Sequence, residues 1–366
     1  MNRRGFTAGT IGLLALGGAS AWGWRASIGS MREYTRYAAA LRADLAPDPS
    51  LRELIRYATL APNSHNTQPW RFTIGGGMVG IHADLSRATP AVDPDHHHLF
   101  VSLGCAAETL RIAAQATGRP GALLVEETGA IRYAFSNGTS RADALFAAIP
   151  RRQSTRAEFD GRSVPAADLK TLVRAAAIPG VNLVLVTDRP RIDDIRDLVI
   201  AGNDAQMADP AFINELKHWL RFNPKSAMAA GDGLFSATSG NPVLPDAVGR
   251  RAFDHFVTAT AESRKYQRQM DSSAGIAVFV GESEDRAHWV AVGRAYQRFA
   301  LAATSLGLRC AFVNQPIEVA RLRPDLAAII GAPGKRPDLV MRFGYGPELA
   351  FSPRRPVEAV LSPADQ

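Results

Sequence analysis

A chain of 366 residues, 46% hydrophobic and 21% charged, is long enough to bury one large or two smaller cores and has no compositional mark of disorder. Its net charge of +7 comes from arginines scattered in pairs, with no basic helix face interleaved with aromatics, so nucleic-acid binding is set aside. An anionic small ligand accounts for local arginines equally well.

The chain opens MNRRGFTAGTIGLLALGGASAWGW. Arg3 and Arg4 precede Phe6, and an uncharged run from Thr7 to Gly23 reaches Ala19, Ser20 and Ala21, the A-x-A form of a cleavage site. With Asn2, Arg3, Arg4 and Phe6 in the places of its motif, the segment resembles a twin-arginine export signal. The run is glycine-rich and short for a span of about 20 residues, so cleavage and loose anchoring both stay open. Residues 1–30 are therefore set apart as signal or anchor, and the expected location is the periplasm or the outer face of the cytoplasmic membrane.

LRELIRYA, from Leu51, has the apolar stripe of a helix. Behind it comes LAPNSHNTQPWRF, residues 60–72, a cluster of amides and hydroxyls ended by Pro69 and Trp70 and containing no carboxylate. A metal site or a carboxylate acid/base pair would want charge here. Neutral donors and acceptors beside an aromatic ring suit a flat, polar heterocycle. RFTIGG reads as a strand, and IGGGMVG as a turn or hairpin, because no lysine or helix follows it as a phosphate loop requires. In DPDHHHLF three successive histidines cannot all point one way, so the segment is expected to be a solvated helix start after Asp93 and not a metal site.

GCAAETLRIAAQATG, from Gly104 to Gly118, predicts an alanine-rich central helix, and GALLVEE a strand. ALFAAIPRRQS, around Ile149, joins two halves. RRQSTRAEFDG then alternates Arg152, Ser154 and Arg156, which can present two guanidinium forks and a hydroxyl to one anion, an arrangement suited to phosphate. LKTLVRAA, from Leu169, answers LRELIRYA, and GRAYQRFALAATSLG, from Gly293 to Gly307, answers the first central helix. NLVLVTD, GIAVFVG and LVMRFGYG predict strands. The repeat points to an α+β protein of two related lobes with mixed sheets, residues 31–150 and 151–366.

Residues 207–250 have no counterpart in the first half. NELKHWLRFNP predicts a helix stopped by Asn223 and Pro224, AAGDGLFSATSGNPVLP a loop, and the insertion is a candidate lid. Near the C-terminus FSPRRPVEAVL sets Arg354 and Arg355 between prolines that would hold the backbone extended. Cys105 and Cys310 have no C-x-x-C spacing; burial as small hydrophobes is expected, and an oxidising compartment leaves a disulfide between them open. No G-x-S-x-G supports a serine hydrolase.

PNSHNTQPW, RRQSTRAEFD and NQPIE, residues 314–318, together resemble the FMN-dependent nitroreductase family, over nearly the whole chain after the leader. Asn63 stands where that family's pattern has a first serine. The resemblance implies a nitroreductase-like fold with flavin held between one lobe's R-x-S-x-R and the other's S-x-N-x-Q-P-W. Here the first lobe keeps NSHNTQPW but reads MREYTRYAA where the arginine motif would stand; the second keeps RRQSTR but reads AIPGVNLVLV in place of the amides. A fused pseudo-dimer with one FMN site is therefore implied, like the exported, internally duplicated Acg-like branch.

By the same resemblance Arg152 and Ser154, with Arg354 or Arg355, would bind the phosphate, and Arg156 would face the pyrimidine edge of the flavin. Pro316, Ile317 and Glu318 would place a backbone N–H near N5. Asn63, Ser64 and Asn66 would bond ribityl or ring oxygens, with Pro62, Gln68 and Gln153 completing the set. Hydride transfer uses the flavin's own chemistry, so no catalytic side chain and no metal is expected. The implied activity is two-electron transfer from a small-molecule donor to a small acceptor, by a monomeric pseudo-dimer delivered by the twin-arginine machinery. The alternative is a protein that sequesters or stores FMN under its lid.

Overall fold

The computed structural model describes residues 24–362, so the twin-arginine motif lies outside the described residues. In the first half, α1 (Met31–Leu41) buries Tyr34 and Ala38. The Ser50 hydroxyl accepts the Glu53 N–H while the Glu53 carboxylate accepts the Ser50 N–H, a reciprocal cap that starts α2 (Leu51–Ala58). Strands β1 (Trp70–Gly75) and β2 (Met78–Ala83) form a hairpin turned at Gly76 and Gly77, whose φ of +56° and +72° are the left-handed pair such a two-residue turn needs. After α3 (His97–Ala116), strands β3 (Gly121–Val125) and β4 (Ile131–Phe135) complete a sheet of order β1-β2-β4-β3.

The short helix α4 (Ala144–Ala148) leads into the second half. There α5 (Ala166–Ala176) precedes β5 (Val181–Val186). A long helical excursion follows: α6 (Arg189–Met207), α7 (Pro210–Trp219), β6 (Leu220–Arg221), α8 (Pro224–Ala230), β7 (Leu234–Phe235), α9 (Asp246–Phe256) and α10 (Ala259–Asp271). Then come β8 (Gly275–Gly281), α11 (Arg286–Ser305) and β9 (Arg309–Phe312). The helices α12 (Gln315–Glu318) and α13 (Arg323–Ile329) precede β10 (Leu339–Gly344), and the tail ends in α14 (Val357–Val360).

The second sheet has the order β5-β8-β10-β9. In each half the strands therefore lie first, second, fourth, third, with the long helix between the second and third. All neighbours in both sheets are antiparallel, where mixed sheets were expected. The long helix carries the chain past the middle position, and the fourth strand runs back into the gap, antiparallel to both neighbours.

The insertion runs over 189–271, wider than the expected 207–250, because it occupies the whole connection from β5 to β8 that two turn glycines make in the first half. Asn223 and Pro224 start a helix instead of ending one: α7 stops at Trp219, and the Asn223 side chain accepts the Ser226 N–H at 2.9 Å with Pro224 in the first turn of α8.

The halves meet where α3 crosses α11. Gly104 and Gly293, expected at helix ends, lie inside these helices at the crossing. A methyl added at Gly104 would collide with the Val290 carbonyl, and one added at Gly293 with the Val101 carbonyl. Each glycine thus faces the residue three before the other, a reciprocal contact of the kind a two-fold axis generates. Glu108 of α3, fully buried, receives Arg111 of its own helix and Arg294 and Arg298 of α11 at 2.6–3.2 Å. Burial pushes the Glu108 carboxyl up, but these arginines outweigh it and hold it below the ordinary carboxylate value. Cys105 and Cys310 are both free and buried.

Candidate functional site

A narrow cleft opens between the halves. Its walls come from Arg42 at the end of α1, from Pro62, Asn63 and Asn66 after α2, and from Arg152, Gln153, Ser154 and Arg156. Leu234 of the insertion, Phe312 of β9, and Ala350, Phe351, Ser352 and Arg354 of the tail close it. The tail reaches back across the first half: Tyr34 and Tyr37 donate their hydroxyls to the Phe351 and Arg354 carbonyls, each at 2.6 Å, and Leu361 bridges to Phe72 of β1.

Four guanidinium groups, Arg42, Arg152, Arg156 and Arg354, line this cleft, and among the described residues none of them is paired with a carboxylate. Burial pushes the pKa of all four down, Arg42 to about 10, and the charge of Arg152 adds to the effect on Arg42 and Arg354. Guanidinium groups keep their charge in proteins. Buried like charges without counter-charge are costly, so the cleft is built to receive an anion.

The donors are not equally free. Arg354 gives its five N–H groups to the carbonyls of Thr59, Leu60, Ala61 and Pro353 and to Asn66 Oδ1, so it supplies charge and no hydrogen bond to a ligand. Arg152 spends one N–H on the Leu60 carbonyl at 2.9 Å, and Arg156 has no side-chain partner among the described residues. Arg42 donates to the Ala38 and Ser352 carbonyls and stacks 4.1 Å from the Phe351 ring centroid. Arg355 points away from the cleft and bonds Gln68 and Ala359 carbonyls. Gln153 binds Leu349 through both ends of its amide, at 3.1 and 2.8 Å, while Ser154 pairs its backbone with Cys310.

The amide cluster is largely engaged with protein. Asn66 donates to the carbonyls of Gly233 at 3.1 Å and Pro353 at 3.0 Å, and Gln68 donates to the Gly231 carbonyl at 2.8 Å while accepting the Arg355 N–H at 2.9 Å. Asn63 accepts the Gln68 N–H at 2.8 Å. These contacts pin the loop Gly231–Asp232–Gly233 of the insertion beside the cleft, and Asp232 pairs there with Arg87 and Arg221. Asn66 and Gln68 both take a φ of 54°, a left-handed backbone that asparagine tolerates well and glutamine poorly. Pro62, Asn63 and Asn66 face the cleft; Ser64 and Gln68 do not.

Pro316, Ile317 and Glu318 do not line the cleft either. They form α12, packed against α6, and the N–H groups of Ile317 and Glu318 both donate to the Asn314 carbonyl. The Glu318 carboxylate accepts Gln206 at 2.6 Å and lies 3.6 Å from His98 Nε2. The histidine run does start a helix, held by Asp93 accepting the His98 and Leu99 N–H groups, but it is not solvated. His97 and His98 are buried: His97 bonds Asp338 at 2.8 Å and meets the Trp289 ring of α11 edge-on, and His98 lies beside Glu318. No metal-binding group is found among the described residues. His65 lies near Arg156 and His98 and is pushed down to about 4, mainly by burial.

Arg42 was missed by sequence reasoning. It closes MREYTRYAAALR, where the arginine motif of the first half would stand, but nothing in its own neighbourhood marks it. Phe351 and Leu234 carry no signal beyond being apolar in loops.

Comparison with known proteins matches residues 149–345 to the nitroreductase family. Rv3131 of Mycobacterium tuberculosis, named as an NAD(P)H nitroreductase, is 25% identical over 334 residues, covering 88% of this chain and 94% of its own. The same organism's acg protein, named likewise, is 24% identical over 330 residues, covering 85% and 95%. Solved structures that match include a nitroreductase with bound FMN from Desulfitobacterium hafniense, at a TM-score of 0.38 and 14% identity, covering 62% of this chain and 100% of that one. Another is the FMN-dependent nitroreductase NfnB from Mycobacterium smegmatis in complex with NADPH, at 0.37 and 13%, covering 61% and 94%.

Proposed function

The chain belongs to the nitroreductase family and is an oxidoreductase, and from that premise we propose that it holds one FMN in the cleft between its halves and passes two electrons through it to a small acceptor. The observation that carries this reading is the set of four guanidinium groups without a carboxylate partner among the described residues, lining one cleft that Ser154 also lines. A phosphate monoester supplies the missing negative charge.

In this reading Arg152, Arg42 and Ser154 bind the phosphate, each charge-assisted bond contributing about 1.5–3 kcal/mol. Arg354 adds its charge from behind while fixing the turn after α2. Arg156, with every side-chain donor free, faces the ring. FMN supplies the hydride-accepting and hydride-donating chemistry. The protein binds and orients it, and the positive charge of Arg156 favours the reduced, anionic ring.

The reading includes a fused pseudo-dimer: the shared strand order and the reciprocal Gly104 and Gly293 contacts support two related lobes, each keeping the half of the site that the other lacks. The insertion serves as the lid, because Gly231–Gly233 is tied to Asn66 and Gln68 beside the cleft. That attachment also favours the second reading, a store that holds FMN without turnover. Extraction of purified protein should release FMN, identified by its spectrum and its phosphate. Oxidation of NADH, NADPH or a reduced dye with a nitroaromatic acceptor then separates enzyme from store. Arginines bound to nothing flavin-like in that extract would sink both readings.

We place the protein outside the cytoplasm on its leader residues, Arg3, Arg4 and Phe6. Fractionation of cells producing an Arg3→Lys, Arg4→Lys variant should find flavin-loaded protein retained inside. Unchanged export would refute the assignment.

A further inference from the structure

Thr155, Arg156 and Ala157 lie in irregular backbone between the Ser154–Cys310 bridge and α5. Their carbonyls have no strand partner, and buried carbonyls need one. Two side chains take all three. Arg342 Nη2 donates to the carbonyls of Thr155 at 3.3 Å and Ala157 at 2.7 Å, and Gln269 Nε2 donates to the carbonyl of Arg156 itself at 2.6 Å. Arg342 Nη1 donates to the Gln269 carbonyl at 3.2 Å, which closes the clamp.

Arg342 is an odd residue for its place. It stands in the middle of β10, LVMRFG, whose six residues are all buried, and it is itself 0% exposed. It has no carboxylate partner among the described residues, its Nε has no partner, and its guanidinium sits 4.1 Å from the Phe159 ring centroid. An aliphatic residue would continue the apolar strand at no desolvation cost. The clamp is what the arginine does there that an aliphatic residue could not.

We propose that Arg342 is a positioning residue: with Gln269 it fixes the backbone on either side of Arg156 and so aims the free Arg156 guanidinium into the cleft. The planar fork holds three backbone carbonyls from two nitrogens in fixed directions, Thr155 and Ala157 from Nη2 and Gln269 from Nη1, which the single ammonium nitrogen of a lysine does not reproduce. The proposal rests on the FMN reading above, in which Arg156 serves the ring and Arg152 the phosphate.

The test is a double-mutant cycle on the full chain, stripped of flavin and titrated with FMN and with riboflavin, which lacks the phosphate. Arg342→Met should weaken both flavins by the same factor, roughly tenfold if one charge-assisted bond is lost, and lower the midpoint potential of bound FMN. In the Arg156→Ala background it should change neither quantity further, whereas with Arg152→Ala its factor should multiply. Arg342→Lys should behave as Arg342→Met. Factors that multiply with Arg156→Ala, an unmoved potential, or full rescue by lysine would each overturn the proposal. Should Arg342→Met fail to fold by circular dichroism, the same cycle with Gln269→Met decides. Wild-type protein that binds neither flavin overturns the FMN reading and this proposal with it; wild-type binding with multiplying factors overturns the clamp alone.

Discussion

Arg152 and Arg354 look alike in the sequence and differ in what surrounds them. Arg354 satisfies five protein acceptors, so Arg354→Ala should leave several buried carbonyls unpaired and cost flavin-free protein about 3 kcal/mol or more in denaturant unfolding. Arg152→Ala removes one such bond, at 2.9 Å, and a buried uncompensated charge, so flavin affinity should fall with stability changed by less than about 1 kcal/mol. Equal losses of stability in the two variants would show that their roles are not divided this way. That Arg152, Ser154 and Arg156 share one cleft was only partly legible, because basic alternation by itself fits a solvated edge equally well. The saturation of Arg354, and of Gln68, was not legible, since it depends on carbonyls brought in from the turn after α2 and from the insertion. His65 adds a pH dependence. Its folded pKa of about 4 lies below the ordinary 6.5, so the unfolded chain binds the proton first, and stability present above about pH 6.5 is lost as pH falls toward 4. The term is on the order of 3 kcal/mol at most. Asparagine suits the φ of 44° at this position, so His65→Asn should flatten the fall in melting temperature over that range, and parallel curves would refute the assignment.

At the scale of elements, what the sequence revealed followed burial. GIAVFVG coincides with β8, whose seven residues are all buried because apolar clusters cover both faces of the second sheet. MVGIHA, foreshadowed only by the turn or hairpin expected at IGGGMVG, became β2, and IRYAF and RCAF became β4 and β9 without having been anticipated: they are short, and arginine, histidine and glycine blur their alternation. The antiparallel pairing was illegible for a different reason, since it is set by where the long helices return the chain. Two glycines expected to bound helices lie inside them. Gly104 and Gly293 are contact residues, and that makes them testable together. Alanine gains about 1 kcal/mol of helix propensity over glycine, but forcing a methyl into a packed crossing costs about 1–3 kcal/mol, and here it meets rigid backbone carbonyls. Gly104→Ala and Gly293→Ala should each destabilise, by similar amounts, and together by less than their sum, because the first methyl already parts the helices that the second would part. Unequal or additive losses, read from urea unfolding, would mean that the crossing is not reciprocal.

For the whole molecule, the consequence of gathering the cleft from one chain is concentration independence. Arg42 and Asn66 come from the first half, Arg152 and Arg156 from the second, and the tail carrying Arg354 crosses from one to the other. If the halves are related as proposed, the position after α5 that would answer to the amide cluster holds Ala177, Ile178, Pro179 and Gly180, with no side-chain donor, so a second site of the same kind has nothing to build it. One FMN should therefore saturate each chain. A flavin held between two separate subunits has an apparent affinity that includes their association, so dilution below the dimer constant releases it. Here both halves are covalently joined and their mutual concentration is fixed by the fold. Flavin binding titrated by fluorescence at protein concentrations spanning about three decades should return one dissociation constant and a ratio of one flavin per chain, with the protein sedimenting as a monomer when loaded. Two flavins per chain, or an affinity that weakens in step with dilution, would mean that the site is completed by a second copy and that the halves of one chain do not make it alone.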